Sequence, residues 1–164
     1  LKINFSGKHM VLLFVAGFVV LIDQITKEVV LRKLPLYDSV TVVTGFFSFT
    51  NIRNPGGAFG LMANQPPFVR VFFFIFVSAL FIIMIYFFYL KIPTGYFKLR
   101  TGIAMIFGGA VGNMVDRIRF GYVVDFLDFY LKNLHWPAFN IADSAITVGV
   151  TIFAYHLIFD KMPE

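Results

Sequence analysis

The stretch FVRVFFFIFVSALFIIMIYFFYL, Phe68 to Leu90, decides what kind of protein this is. It holds one charge, Arg70, and is otherwise apolar for long enough to cross a hydrocarbon core of roughly 30 Å as a helix. Three more stretches share its character. Met10 to Leu31 is interrupted by Asp23, Gln24 and Lys27, Leu99 to Ile118 is rich in glycine, and Asn140 to Phe159 begins polar and ends apolar. The expectation is an all-α membrane protein with four transmembrane helices, at about 10–31, 68–90, 99–118 and 140–159.

Composition points the same way. Of 164 residues, 59% are hydrophobic and 14% charged, and the mean hydropathy is +0.80. A soluble domain carries roughly 25% charged residues because its surface faces water. The 23 phenylalanines suit lipid-facing surfaces and aromatic belts. The net charge is +5, but the basic residues sit mainly in and beside short connections. Anionic lipid headgroups, not nucleic acid, are the expected partner there. With no cysteine, disulfides, thiolate nucleophiles and cysteine-ligated metals are excluded. The polar stretch Leu1–His9 reads equally well as native sequence or as an added leader before a start at Met10. Met10–Ile22 runs straight into polar residues without a small-residue cleavage site, so it does not read as a cleavable signal peptide. No repeat or linker divides residues 1–164, which read as one membrane domain.

Four spans place both termini on one side and two long connections on the other. In the first connection, Arg32 to Pro67, the β-branched and aromatic runs Ser39–Val43 and Phe46–Ile52 flank Thr44-Gly45. They predict a short hairpin lying at the interface. Asn54-Pro55-Gly56-Gly57 ends it in a turn. The second connection, Arg119 to Pro137, contains Asp125 and Asp128. Lys91–Arg100 is short, basic and free of acids, so the positive-inside rule puts the termini in the cytoplasm and the β-rich segment on the outer face.

Ionisable groups at a bilayer centre cost about 2.5–3.5 kcal/mol each, so those near the spans need a reason. Asp23 and Lys27 lie four apart on one helix face, as a neutralised pair or as a support for a catalytic region. Gly108 and Gly112 permit close helix packing. Asn113 follows, deep enough for function or an interhelical bond, whereas Asp116 and Arg117 read as anchors among headgroups. Asn140 and Asp143 fit an N-cap with its acidic partner. They also begin a stripe through Ser144, Thr147 and Thr151 that would face into the bundle. Asp125, set among Val123, Val124 and Phe126, is expected to have a raised pKa, and Asp128 to be an ordinary exposed acid.

His9, His135 and His156 have no spacing that suggests zinc binding or a catalytic triad, and there is no Walker A or GxGxxG motif. What remains is a set of aspartates at one membrane face. Two close carboxylates keep one proton between them, so one activates water and the other donates to a carbonyl oxygen. That is aspartyl protease chemistry, which requires neither metal nor cofactor.

Five segments in order now carry a resemblance. They are DQITK (23–27), NPGGAF (54–59), GGAVGNMVDR (108–117), VDF (124–126) and FNIADS (139–144). Together they resemble the lipoprotein signal peptidase family, also called signal peptidase II. The resemblance implies a bacterial inner-membrane aspartyl protease with four spans, an interfacial β-rich cradle and cytoplasmic termini. It implies cleavage of diacylglyceryl-modified prolipoproteins just before the lipidated cysteine, and inhibition by globomycin-type compounds. It makes Asp125 and Asp143 the catalytic pair, with Asn54, Asn113, Arg117 and Asn140 around them and Asp23 and Lys27 in support. One departure is Gly57, where the family often has alanine, which would loosen that loop. Two other readings compete: a four-span proton-coupled transporter, and a metal-dependent lipid-headgroup transferase using Asp116, Asp125, Asp128 and Asp143 as Mg²⁺ ligands.

Overall fold

The computed structural model describes residues 7–56 and 65–159. Gly57 and most of the leading polar stretch therefore lie outside the described residues. Helices occupy the four expected stretches: α1 (Gly7–Lys33), α2 (Pro67–Lys91), α3 (Phe97–Phe120) and α4 (Ile141–Phe159). Pro67 at the first helical position starts α2 with its missing N–H at no cost. Gly121, at φ 77°, stops α3 in the left-handed conformation and returns its N–H to Arg117 O at 3.0 Å.

Helix α3 sits in the middle, packed against α1, α2 and α4. Its glycines make that possible: a Cβ on Gly108 would lie 2.8 Å from Ala16 Cα of α1. The outer helices pay for their lipid-like sequence by exposing it, with Phe14, Phe18, Phe72 and Phe76 all more than half exposed. Among the described residues, three helices are long and apolar enough to cross a membrane: α1, α2 and α4. The expected count was four. Helix α3 differs because it is surrounded by the others and buries twelve of its residues, so glycines, Asn113 and Asp116 replace the lipid-facing side chains of an outer span.

The connections form a four-stranded antiparallel sheet in the order β1 (Ser39–Val43), β2 (Phe47–Asn54), β3 (Val123–Leu131), β4 (Leu134–His135). The first pair is the expected hairpin, turning through Gly45 at φ 79°. The second pair was not anticipated from sequence: the second connection is a strand and a tight return. Val123–Leu131 is rich in β-branched and aromatic residues, but its long partner is β2, some seventy residues earlier, while the two-residue β4 pairs only with its far end. In that register Asp125 stands opposite Ile52 and Phe129 opposite Phe47, whose rings stack at 4.7 Å. The inner half of β3 drives Val124 and Phe126 into a cluster with Val30 of α1. The strand is thereby fixed to the ends of the helices, and Asp125, on its other face, is fixed with it.

Candidate active site

The site begins with the exposed amides at the start of α4. A helix leaves its first N–H groups without partners in its own ladder. Asn140 Oδ1 accepts the Asp143 N–H at 2.9 Å, while Asp143 Oδ2 lies 3.3 Å from the Asn140 N–H. This is the reciprocal cap expected from sequence, with aspartate in the place usually taken by glutamate. The Ala142 N–H between them donates to Asp23 Oδ1 of α1 at 2.9 Å. The other oxygen of Asp143, Oδ1, accepts from Asn113 Nδ2 of α3 at 2.7 Å. Capping and a position facing α3 were alternatives on sequence, and Asp143 does both.

Asp125 approaches from β3. Its Oδ1 accepts from Asn140 Nδ2 at 2.8 Å and its Oδ2 from Asn54 Nδ2, on β2, at 3.0 Å. The residue is 3% exposed. Burial, reinforced by the charge of Asp143, pushes its carboxyl up to about 7 despite the two amide donors that favour the ionised form. Asn140 also lies 3.2 Å from Asn113 Oδ1, so the two aspartates are joined through a pair of amide side chains. Neither aspartate has a cation within ion-pair distance among the described residues.

A second cluster lies behind the first. Lys27 Nζ sits 2.8 Å from Asp23 Oδ2, 2.9 Å from Asp116 Oδ2 and 3.1 Å from Asn113 Oδ1, all buried. Asp116 also accepts from Gln24 Nε2 at 2.8 Å and from the Val124 N–H at 3.1 Å. A Cβ on Gly112 would come within 2.8 Å of Asp23 Oδ2, so that glycine is what lets the carboxylate reach α4. The expectation that Asp116 is an anchor solvated by headgroups is wrong: it is fully buried and ties α1 to β3. Sequence reasoning missed Gln24 and misplaced Asp116, whose partners lie on α1 and β3. One local signal was available, since Asp116 follows Gly112 by four and shares the face that the glycine opens.

The other expected residues divide. Arg117 Nη1 donates to Asn113 O at 3.2 Å, and its guanidinium lies 5.6 Å from the Phe74 ring centre, in the field of Asp143 and Asp125 without an ion pair to either. The polar stripe on α4 does not face into the bundle beyond its first turn. Thr147 and Thr151 are exposed and return their hydroxyls to the helix's own carbonyls, Asp143 O and Thr147 O. Asp128 stands apart, paired with His135 Nδ1 at 2.9 Å. Among the described residues no group of three His, Asp or Glu side chains could hold a metal ion. Beside the dyad, a groove of about 290 Å³ runs between α2, α3 and α4, floored by Phe74, Phe81 and Ile146. Asn113 and Arg117 form its polar edge.

Comparison with known proteins supplies the remaining context. Residues 15–159 match the family model described as Signal peptidase (SPase) II. A lipoprotein signal peptidase of Desulforapulum autotrophicum is 54% identical, over 93% of this chain and 94% of that protein. One from Syntrophus aciditrophicus is 45% identical, over 89% and 91%. A solved bacterial membrane enzyme superposes with a TM-score of 0.80 at 32% identity, covering 96% of both chains.

Proposed function

This chain belongs to the signal peptidase II family, and on that premise we propose that it is an aspartyl endopeptidase whose acid–base pair is Asp125 and Asp143. The observation that carries the reading is the bridge from Asp125 through Asn140 and Asn113 to Asp143. It holds two carboxylates together with no cation between them among the described residues, and the buried one has a pKa raised to about 7. The substrate is a diacylglyceryl-modified prolipoprotein, cut just before its lipidated cysteine. Family membership favours this over the proton-coupled transporter.

In the resting dyad one proton is held on Asp125, which desolvation keeps neutral. Asp143, in the first turn of α4, sits where the helix dipole favours a negative charge. Asp143 removes a proton from water, whose oxygen attacks the scissile carbonyl carbon. Asp125 gives its proton to the carbonyl oxygen, forming a gem-diol. As that intermediate collapses, one hydroxyl returns its proton to Asp125 while the carbonyl re-forms, the C–N bond breaks, and the proton taken up by Asp143 passes to the departing nitrogen. Asn54 and Asn140 hold Asp125, Asn113 holds Asp143, and Arg117 stands at the groove edge to meet substrate backbone. Asp23 and Lys27 fix the start of α4.

The proposal extends to placement. Helix α3 crosses the bilayer with α1, α2 and α4 as one four-span domain in the bacterial inner membrane. Both termini are cytoplasmic, and the sheet and dyad lie at the outer face, open to membrane lipids and globomycin-type inhibitors. The deciding experiment incubates purified protein with a diacylglyceryl-modified prolipoprotein, with and without EDTA. Cleavage unaffected by EDTA and lost in Asp125→Asn supports the reading. Cleavage that needs a metal, or that survives both Asp125→Asn and Asp143→Asn, overturns it.

A further inference from the structure

On the side of α1 turned away from the dyad, a surface groove of about 410 Å³ opens between α1 and α3. Its floor is the apolar stripe Leu21, Ile25 and Val29, spaced four apart and each at least half exposed. Its mouth, one turn further toward the sheet, holds the guanidiniums of Arg32 and Arg119. Glu28 lies between them, 2.8 Å from Arg32 Nε and 3.6 Å from Arg119 Nη2. Arg119 is also anchored inward, its Nη1 donating to Gln24 Oε1 at 3.2 Å. One carboxylate against two guanidiniums leaves a positive charge unmatched at the rim of an apolar channel.

We propose that this groove is a binding site for an anionic phospholipid, its headgroup phosphate held by Arg32 and Arg119 and one acyl chain lying along Leu21, Ile25 and Val29. Charge complementarity identifies the occupant. Guanidiniums present paired donors that match phosphate oxygens, and the spare charge selects a headgroup with net negative charge over a zwitterionic one. The order of chemistry along α1 matches the order along a lipid, polar at the helix end and apolar below. Glu28 is the resident competitor, occupying donors that the phosphate would take. The substrate's diacylglyceryl group carries no phosphate, so this lipid is a separate ligand. The site rests on the membrane placement of α1 but not on the cleavage reaction, so a binding measurement separates the two.

The test uses the full chain in nanodiscs of phosphatidylcholine with a minor share of phosphatidylglycerol. Lipids that stay with the protein on gentle detergent extraction are counted by native mass spectrometry. Wild type should retain phosphatidylglycerol beyond its share of the bilayer. Each charge near a bilayer surface is worth about fivefold in affinity, so Arg32→Gln or Arg119→Gln should lower retention about fivefold and the double variant about twenty-five-fold. Lys91→Gln, an equal charge loss at the far end of α2, should leave it unchanged. Glu28→Gln should raise retention, a change that misfolding cannot mimic. Soluble glycerol phosphate should not displace the lipid, because it lacks the chain that fills the floor. Undiminished retention in the double variant, an equal loss in Lys91→Gln, or a fall in Glu28→Gln would each overturn the proposal.

Discussion

Two acid clusters lie back to back at one end of this bundle, and they differ in a single ingredient. In the rear cluster Asp23 and Asp116 share Lys27, at 2.8 and 2.9 Å, so a cation stands between the carboxylates. In the front cluster, among the described residues, Asp125 and Asp143 are joined by the amides of Asn140 and Asn113 and by no cation. Amides orient carboxylates but cannot neutralise them. The rear cluster balances its charge with a fixed lysine and becomes a strut joining α1, α3, β3 and α4. The front cluster must balance its charge with a proton, and a proton can leave. The same residue type is structural in one place and suited to chemistry a few ångströms away, according to what stands between the pair.

The largest effects should separate the two clusters by readout. Asp125→Asn or Asp143→Asn should lower cleavage of a lipidated prolipoprotein by about 10⁴-fold, the upper end for an acid or base group. Thermal stability in detergent should hardly change with Asp125→Asn, because asparagine copies the shape of a neutral acid. Lys27→Met should do the reverse in kind, costing about 3–5 kcal/mol of stability by leaving two buried carboxylates uncompensated. An unfolding midpoint for Lys27→Met equal to wild type would break the comparison, since the rear cluster would then not be a strut.

The comparison also explains what could be read from sequence. Asp23 and Lys27 were legible as a pair because both lie on one helix at a spacing that forces proximity. Asn140 and Asp143 were legible as a cap for the same reason. Asp116 was not, because its partners, Lys27, Gln24 and the Val124 N–H, come from α1 and β3. Local spacing carries no information about such distances. Strand β3 was hidden differently. Val123–Leu131 has strand composition, but its partner strand is separated from it by two helices, so no turn announces the pairing. The joining of Asp125 to Asp143 likewise came from the family resemblance, not from spacing, because β3 and α4 meet only in the folded molecule.

Asn140 serves both functions of the front cluster, so it can be used to take them apart. Asn140→Ala removes the N-cap and should cost about 1 kcal/mol, lowering the midpoint by about 2–4 °C. It also removes the donor to Asp125 Oδ1, so cleavage should fall. Asn140→Ser should recover most of the stability, since serine caps well, without recovering activity, because its hydroxyl is too short to reach Asp125. Recovery of both together would mean that Asn140 acts only as a cap.

The smallest expected effect is a shift along the pH axis. Asp125 is raised from its ordinary value of 3.8 to about 7, first by desolvation and then by the charge of Asp143. The folded state therefore holds a proton that the unfolded chain has lost between those values. The resulting stability is fully present below pH 3.8 and is lost as pH rises through about 7. In the proposed mechanism cleavage uses the same proton, so its rate should fall on the alkaline side of about 7. Asn54 opposes the shift, because its Nδ2 donates to Asp125 Oδ2 and favours the ionised form. Asn54→Ala removes that donor and should move the alkaline limb to higher pH, whatever it does to the maximal rate. The limb belongs to the coupled pair, so the profile reports the dyad and not one residue. A pH–rate profile of the two proteins across pH 5 to about 9 reads the shift directly. A limb that stays in place, or moves to lower pH, would mean that the proton controlling the rate is not the one held on Asp125.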